Sequence, residues 1–296
     1  MNLYPIITEN WKIDGGACFS VVPKIIWEKA YPADEKNLIT IVNRCLLIQT
    51  DERKILINTG MGNKQDEKFF QYYHIHGEDS LKKSLKKYGF SFDEITDVVL
   101  THLHFDHCGG AVKYKPGNRE TELAFPNAVH WVSKAQWDWA NQPNPREKPS
   151  YFRENFHPIH EAGKLRFIEK EGQLFDNFHL LIVNGHTEGQ LIPYFQYKGK
   201  TIVYMSDFIP SVAHIPLLYL LSFDIRPLLS MKEKEEFLQK ALREDYILFF
   251  EHDLKYECCN LQLTEKGIRA KETFSLWEYL KEIERLKLDV TQYNLS

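Results

Sequence analysis

The stretch that most constrains this chain runs from Val98 to Gly110: an apolar triplet Val98-Val99-Leu100, then Thr101-His102-Leu103-His104-Phe105-Asp106-His107-Cys108, then Gly109-Gly110. Three imidazoles and a carboxylate within the six positions 102–107 are hard to explain by packing, because each carries polar atoms that an interior must satisfy. They read as a metal cradle, since neutral imidazole nitrogen and carboxylate oxygen are the donors that a borderline cation such as zinc accepts. His102 and His104 lie two residues apart, so at the end of a strand they project to one side and pinch one ion, while Asp106 and His107 follow at once and serve a second. The paired glycines tolerate backbone angles that other residues avoid, so the loop is expected to fold tightly around the ions and enter a helix.

Further apolar runs end in the same way. Leu180-Leu181-Ile182-Val183 precedes Asn184-Gly185-His186-Thr187-Glu188-Gly189-Gln190, Thr201-Ile202-Val203-Tyr204-Met205 precedes Ser206-Asp207, and Tyr246-Ile247-Leu248-Phe249-Phe250 precedes Glu251-His252-Asp253. Each run is short and β-rich, and each delivers a donor just past its end, so the donors are expected to converge at one sheet edge. Ahead of them, Ile39 to Ile48 and Ile55-Ile57, punctuated by Asp51 to Lys54, read as a hairpin followed by the tight loop Asn58-Thr59-Gly60-Met61-Gly62. Leu81, Leu85 and Tyr88 recur at helical spacing among lysines that form a solvated face. Ser230 with Glu233 reads as a capping box opening a helix striped by Phe237, Leu238, Ala241 and Leu242, and Thr273 to Leu288 as a closing helix.

At 296 residues with 43% hydrophobic content the chain is expected to form one domain, residues 1–296, with an irregular or edge segment, 1–38, packed on it. A formal charge of -4 with mixed signs argues against a nucleic-acid partner. Five cysteines without a CxxC pair argue against a disulfide framework, and neither a signal peptide nor an eighteen-residue apolar run stands out, so a cytoplasmic protein without a membrane partner is expected.

Taken together, HLHFDH, then GHTEGQ, then SD after one strand and EH after another, resemble the metallo-β-lactamase-fold hydrolases over about residues 39–255. The long N-terminal segment and an aspartate at the bridging position make the chain most similar to the branch holding acyl-homoserine lactonases and methyl parathion hydrolase. The resemblance implies an α/β fold, a four-layer αββα sandwich with a binuclear metal centre at one sheet edge. By matching position, His102, His104 and His186 would hold the first metal, Asp106, His107 and His252 the second, and Asp207 would bridge them. It implies two divalent ions, zinc first, with iron or manganese as other occupants. It further implies a metal-bridging hydroxide as the nucleophile, which Asp106 can orient, and cleavage of a small ester, lactone or related bond. The alternative is an oxidoreductase similar to the persulfide dioxygenases, with the same fold but a single iron, against which the complete second set of donors argues.

Three positions depart from the family pattern. Asn58 stands where a DTG loop commonly supplies a carboxylate that orients a ligand histidine, which predicts weakened metal affinity. Pro210 stands where the lactonases have a substrate-contacting tyrosine, and Gln190 where many relatives have a histidine. Among the remaining residues, His214 is a candidate substrate contact or proton donor, the alternative being a histidine satisfied within its own loop. Phe208 and Tyr219 are candidate apolar contacts for a small-molecule substrate. His252 is preferred to His214 as a ligand because it ends a strand, as the other donors do. His74 and His76 are expected to be solvated, and Cys108 to be a packed thiol. The proline-broken aromatic segment 125–156 fits a lid, a homodimer contact or core equally well.

Overall fold

The computed structural model describes residues 1–281 and 283. The first part of the chain supplies β1 (Asn2–Asp14), β2 (Leu38–Gln49), β3 (Lys54–Ile57), β4 (Asp97–Val99), β5 (Val112–Tyr114), β6 (Thr121–Leu123), β7 (Val129–Ser133) and β8 (Leu165–Ile168). The second supplies β9 (Gly172–Phe175), β10 (Phe178–Val183), β11 (Gln190–Tyr197), β12 (Lys200–Tyr204), β13 (Ile247–Phe249), β14 (Cys258–Thr264) and β15 (Gly267–Phe274). Among the described residues they form a six-stranded sheet, β1-β2-β3-β4-β7-β8, a seven-stranded sheet, β15-β14-β13-β12-β11-β10-β9, and the small β5-β6 ribbon.

Alternation along the strands explains the layering, because successive side chains leave a strand on opposite faces. In β2, Leu46 and Ile48 meet Phe178, Phe195, Ile202 and Phe249 of the other sheet in the central core, while Cys45 and Leu47 face outward. In β12 and β13, Ile202, Tyr204, Ile247 and Phe249 face the centre, whereas Val203 and Leu248 meet Phe237, Leu238 and Ala241 of the helix Pro227–Arg243. On the far side, Leu85, Ala140 and Ile159 from three helices cover the six-stranded sheet. The result is helix, sheet, sheet, helix, as expected.

The N-terminal segment is more regular than its sequence suggested. β1 pairs antiparallel with β2 over nearly its whole length, with one irregularity between Ile7 and Glu9, and Pro5 is tolerated because β1 is an edge strand. Residues 15–27 then form two short helices in which Phe19 stacks on Trp27, 5.2 Å between ring centroids.

The capping-box expectation does not hold. The helix starts at Pro227, and Glu233 instead accepts hydrogen bonds from the amides of Asn184 and Gly185 (2.9 and 3.0 Å), tying the loop after β10 to the helix. A Cβ on Gly185 would lie 2.3 Å from Ser230 Oγ, so only glycine permits this approach. Of the closing helix read at 273–288, residues 273–274 end β15 and 276–281 are helical, and much of the remainder lies outside the described residues. No described helix is long and apolar enough to cross a membrane. All five cysteines are buried thiols.

Candidate metal centre

β10 and β12 run in the same direction through their shared neighbour β11, and β13 pairs parallel to β12, so the C-terminal ends of all three open onto one edge. The loop after β4 reaches the same place from the other sheet. Within it, His104 N-caps a four-residue helix, Phe105–Cys108, that carries Asp106 and His107. The glycines that follow act by closeness rather than by unusual angles: Gly109 has an ordinary φ of −59°, but a Cβ there would lie 1.8 Å from Met61 O, and one on Gly110 would lie 2.1 Å from Thr59 O. They let the 59–62 loop press against the backbone of the motif, where Thr59 N donates to His107 O at 2.8 Å.

Two groups of donors result. His102, His104, His186 and Asp207 form one, Asp106, His107 and His252 the other, and within each group the donor atoms all lie within 4.8 Å of one another. In the first, His102 Nε2 and His104 Nδ1 are 3.1 Å apart, and His186 Nε2 lies 3.3 Å from His104 Nδ1 and 3.1 Å from Asp207 Oδ2. In the second, His107 Nε2 lies 3.3 Å from Asp106 Oδ2, and His252 Nε2 lies 3.9 Å from the same oxygen. Asp207 stands between them, Oδ2 3.3 Å from His107 Nε2 and Oδ1 2.8 Å from His252 Nε2.

The far nitrogen of every one of these imidazoles meets an oxygen. His102 Nδ1 faces Thr101 Oγ1 (3.1 Å), His104 Nε2 faces Glu147 Oε1 (3.4 Å), and His107 Nδ1 faces Glu251 Oε2 (3.1 Å). His186 Nδ1 faces Asp224 Oδ1 (2.9 Å), and His252 Nδ1 faces the carbonyl of Val42 (3.0 Å). An acceptor on the far nitrogen fixes the proton there and leaves the near nitrogen's lone pair directed inward, which is what a metal requires. Burial works against charging these rings, and it holds His102 well below its ordinary range, aided by His107 and His104. In His107 and His186 the same burial is outweighed by carboxylates: Asp106, Glu251 and Asp207 raise His107 well above its usual range, and Asp207 with Asp224 raises His186 to about 10.

Glu147, Asp224 and Thr101 did not stand out in the sequence. Glu147 sits in the proline-broken loop and also accepts from Trp139 Nε1 (2.6 Å), Asn144 Nδ2 (2.7 Å) and Tyr151 OH (3.1 Å). The aromatic segment is thus core and site wall among the described residues: Phe156 is fully buried, Trp137 packs on it, and Tyr151 lies beside His104. The expected lack of a carboxylate behind a ligand histidine is corrected as well, at His107. Asn58 offers none, yet Glu251 supplies one, and Asn58 Nδ2 donates to both of its oxygens (3.1 and 2.9 Å).

Above the centre opens a cavity of about 460 Å³, within the roughly 300 to 1,000 Å³ of small-molecule pockets. Its floor is His104, Asp106, His186, Asp207 and His252, and its wall is apolar, with Trp11, Ile13, Ile39, Ile41 and Phe105 among the lining. Trp11 Nε1 also donates to Asn43 Oδ1 (2.8 Å), and Asn43 Nδ2 donates to Asp106 O (3.0 Å), so β1 and β2 both wall the cavity and brace the motif. His214 lines the cavity, but Ser211 Oγ (2.7 Å) and Cys18 O (2.9 Å) occupy its ring nitrogens, Phe19 stacks on it, and burial pulls it down to about 3. Its ring is thus held on one side by its own loop, through Ser211, and on the other by the N-terminal segment, through Cys18. Phe208 turns into the outer core against Phe237, and Tyr219 packs edge-on to Phe19, so neither ring lines the cavity. Gln190 is fully buried at the start of β11 with its amide unpaired, and Pro210 lines the cavity. His74 and His76 are exposed, and Cys108 Sγ donates to Leu103 O inside the core.

The family model described as the metallo-beta-lactamase superfamily matches residues 41–252. The chain belongs to the metallo-beta-lactamase superfamily. It is a metal-dependent hydrolase of that superfamily. A curated N-acyl homoserine lactonase of Bacillus cereus is 25% identical over 233 residues, covering 75% of this chain and 85% of that protein. A counterpart from Bacillus thuringiensis subsp. kurstaki is 26% identical over 242 residues, with the same coverage. Among solved structures, a probable metal-dependent hydrolase from Staphylococcus aureus is 29% identical with a TM-score of 0.84, covering 93% of this chain and 96% of that one. A dizinc quorum-quenching lactonase in complex with its product is 24% identical with a TM-score of 0.74, covering 92% and 94%, and shows the shared metallo-beta-lactamase fold.

Proposed function

We propose that this superfamily member is a binuclear hydrolase that opens a small ester or lactone bearing an apolar acyl group. The observation that carries the reading is the pair of donor groups joined by Asp207 beneath an apolar cavity. Their fit to metal is supported by His107 Nε2 and Asp207 Oδ1, both buried without a well-aligned hydrogen bond although the first lies 3.3 Å from Asp106 Oδ2 and Asp207 Oδ2 and the second 2.8 Å from His252 Nε2. Buried polar atoms left so cost folding free energy unless something else satisfies them. In this reading His102, His104 and His186 would hold one ion and Asp106, His107 and His252 the other, with Asp207 placed to serve both. Two divalent cations, zinc first, supply the Lewis acidity that makes water a nucleophile near neutral pH.

The chain's own side chains do the rest. Asp106 keeps one oxygen between His107 and His252 and faces the cavity, so it orients the attacking water, takes up its proton and returns it to the leaving oxygen. The apolar wall excludes bulk water and receives the acyl group. The lactone form of this reading draws on relatives named N-acyl homoserine lactonases and on a neighbour with N-hexanoyl-L-homoserine bound at its catalytic metal centre. The mononuclear oxygenase alternative leaves Asp106, His107 and His252 without a task. The test is metal content by elemental analysis alongside turnover of lactone, aryl ester, phosphotriester and β-lactam substrates. Two zinc-like ions with cleavage of a lactone or ester support the reading, and a single iron with oxygen consumption on a persulfide overturns it.

A further inference from the structure

We infer that Glu251 and Asn58 are an exchanged carboxylate–amide pair, in which Glu251 is the positioning residue for the second metal and Asn58 is an amide because Glu251 is not. The inference rests on the metal-centre reading above. Two side chains reach the far nitrogen of His107 from opposite elements: Glu251 Oε2 from the end of β13 and Asn58 Nδ2 from the end of β3, each 3.1 Å from His107 Nδ1. Either place is close enough to accept the imidazole N–H, yet only one of the two is occupied by an acceptor.

The reason lies in their contact with each other. Asn58 Nδ2 is 2.9 and 3.1 Å from the Glu251 oxygens, and both residues are fully buried. Two carboxylate groups at that separation would set acceptor against acceptor and repel each other. One of the pair must therefore donate, and the amide does, while its own Oδ1 accepts from Thr101 N at 2.9 Å. Thr101 adjoins His102, and Thr101 Oγ1 faces His102 Nδ1, so the same amide links the two donor groups. The frame is rigid on both sides. Arg44 N donates to Glu251 O (3.0 Å) and Arg44 Nη1 to Phe250 O (2.9 Å), while Asn58 has φ of 60°, a left-handed conformation that Asn and Asp adopt more readily than other side-chain-bearing residues.

Because the two positions are equivalent toward His107, the roles should be transferable. When Asn58→Asp and Glu251→Gln are combined, the carboxylate now at position 58 accepts from His107 Nδ1 and from Thr101 N. The amide now at position 251 donates back to it, so the bond between the two side chains survives with its polarity reversed while His107 and Thr101 remain donors. The experiment compares Glu251→Gln, Asn58→Asp and the double variant, reading zinc per chain by elemental analysis and zinc affinity by competition with a chromophoric chelator. Each single variant is expected to lose about 10- to 100-fold in affinity at one of two sites, as loss of an outer partner does, the first for want of a carboxylate and the second through repulsion. The double variant is expected to return to within about threefold of wild type. Melting temperatures of the metal-free proteins separate this from general damage, which recovery by a second substitution would not repair.

Glu251→Gln at wild-type affinity, or a double variant no tighter than Glu251→Gln, overturns the inference while leaving the metal centre intact. Wild type that binds no second ion overturns the metal-centre reading itself. Should Glu251→Gln fail to fold, the double variant carries the test, since native affinity there requires that His107 needs a carboxylate and not that particular residue.

Discussion

If the acyl group of the substrate lies along the wall formed by Ile13, Ile39 and Ile41, catalytic efficiency should climb with chain length in a fixed proportion. Each buried methylene contributes about 0.8 kcal/mol, and when that binding is expressed in the transition state it raises kcat/KM by about fourfold. Going from a butanoyl to a hexanoyl substrate should therefore gain roughly 15-fold, and the rise should level off once the cavity of about 460 Å³ is filled. The perturbation that isolates the wall is Ile13→Asn. Ile13 is only half-buried, so the amide can remain hydrated and the fold should be little affected. The assay is kcat/KM across a series of straight-chain lactones or thio-esters, in wild type and variant at equal metal content. The variant should reduce the factor per methylene to about twofold or less while leaving the shortest substrate nearly unchanged. A flat chain-length profile in wild type, or a variant whose steepness matches it, would refute the placement of the acyl group in this cavity.

The remaining predictions concern single side chains. Asp207→Ala removes the carboxylate that stands between the two groups, so bound zinc and hydrolysis should fall together by more than the about 10- to 100-fold lost with an outer partner; two retained ions with full turnover would exclude a bridging role. Gln190→Met replaces a fully buried, unpaired amide by an apolar chain of similar volume and should stabilise the fold by about 1–2 kcal/mol, read in equilibrium unfolding as a higher urea midpoint at unchanged m-value. His130, buried far from the centre, is pulled by burial from 6.5 down to about 4. In that window the unfolded chain binds a proton that the native one refuses, so stability is full above pH 6.5 and falls by about 3 kcal/mol as pH approaches 4. His130→Leu should be flatter by that amount in unfolding of the metal-free protein, and identical pH profiles would refute the assignment.

The central layers were legible because their signal is local. Val98-Val99-Leu100, Ile202 to Tyr204 and Ile247 to Phe249 are short apolar runs, and a strand buried on both faces can be little else. The donors were legible for the same reason, each falling just beyond such a run. Their outer partners were not, because nothing in sequence joins His186 to Asp224 across 38 residues, His104 to Glu147 across 43, or His107 to Glu251 across 144. The N-terminal strand was obscured by Pro5 and by its mixed burial, both permitted at a sheet edge. Phe208 misled because adjacency in sequence to Asp207 was read as adjacency to the cavity, whereas neighbouring side chains need not share a face.

The five imidazoles also show why the outer partners matter more here than a ligand count implies. A bare cluster of buried histidines and carboxylates has a cheaper option than binding metal: it can protonate, pairing His107 and His186 with the acids beside them. Metal binding must displace those protons, which makes affinity depend on pH. An acceptor on the far nitrogen tips this competition, because it holds one proton on the outer side of the ring and leaves the inner nitrogen as the only place from which a second is lost. Thr101, Glu147, Glu251, Asp224 and the Val42 carbonyl each hold one ring in that orientation. Only the carboxylates among them add charge, yet burial outweighs Glu147 at His104 and lowers that ring as it lowers His102, so these two rings hold the fewest protons for a cation to displace.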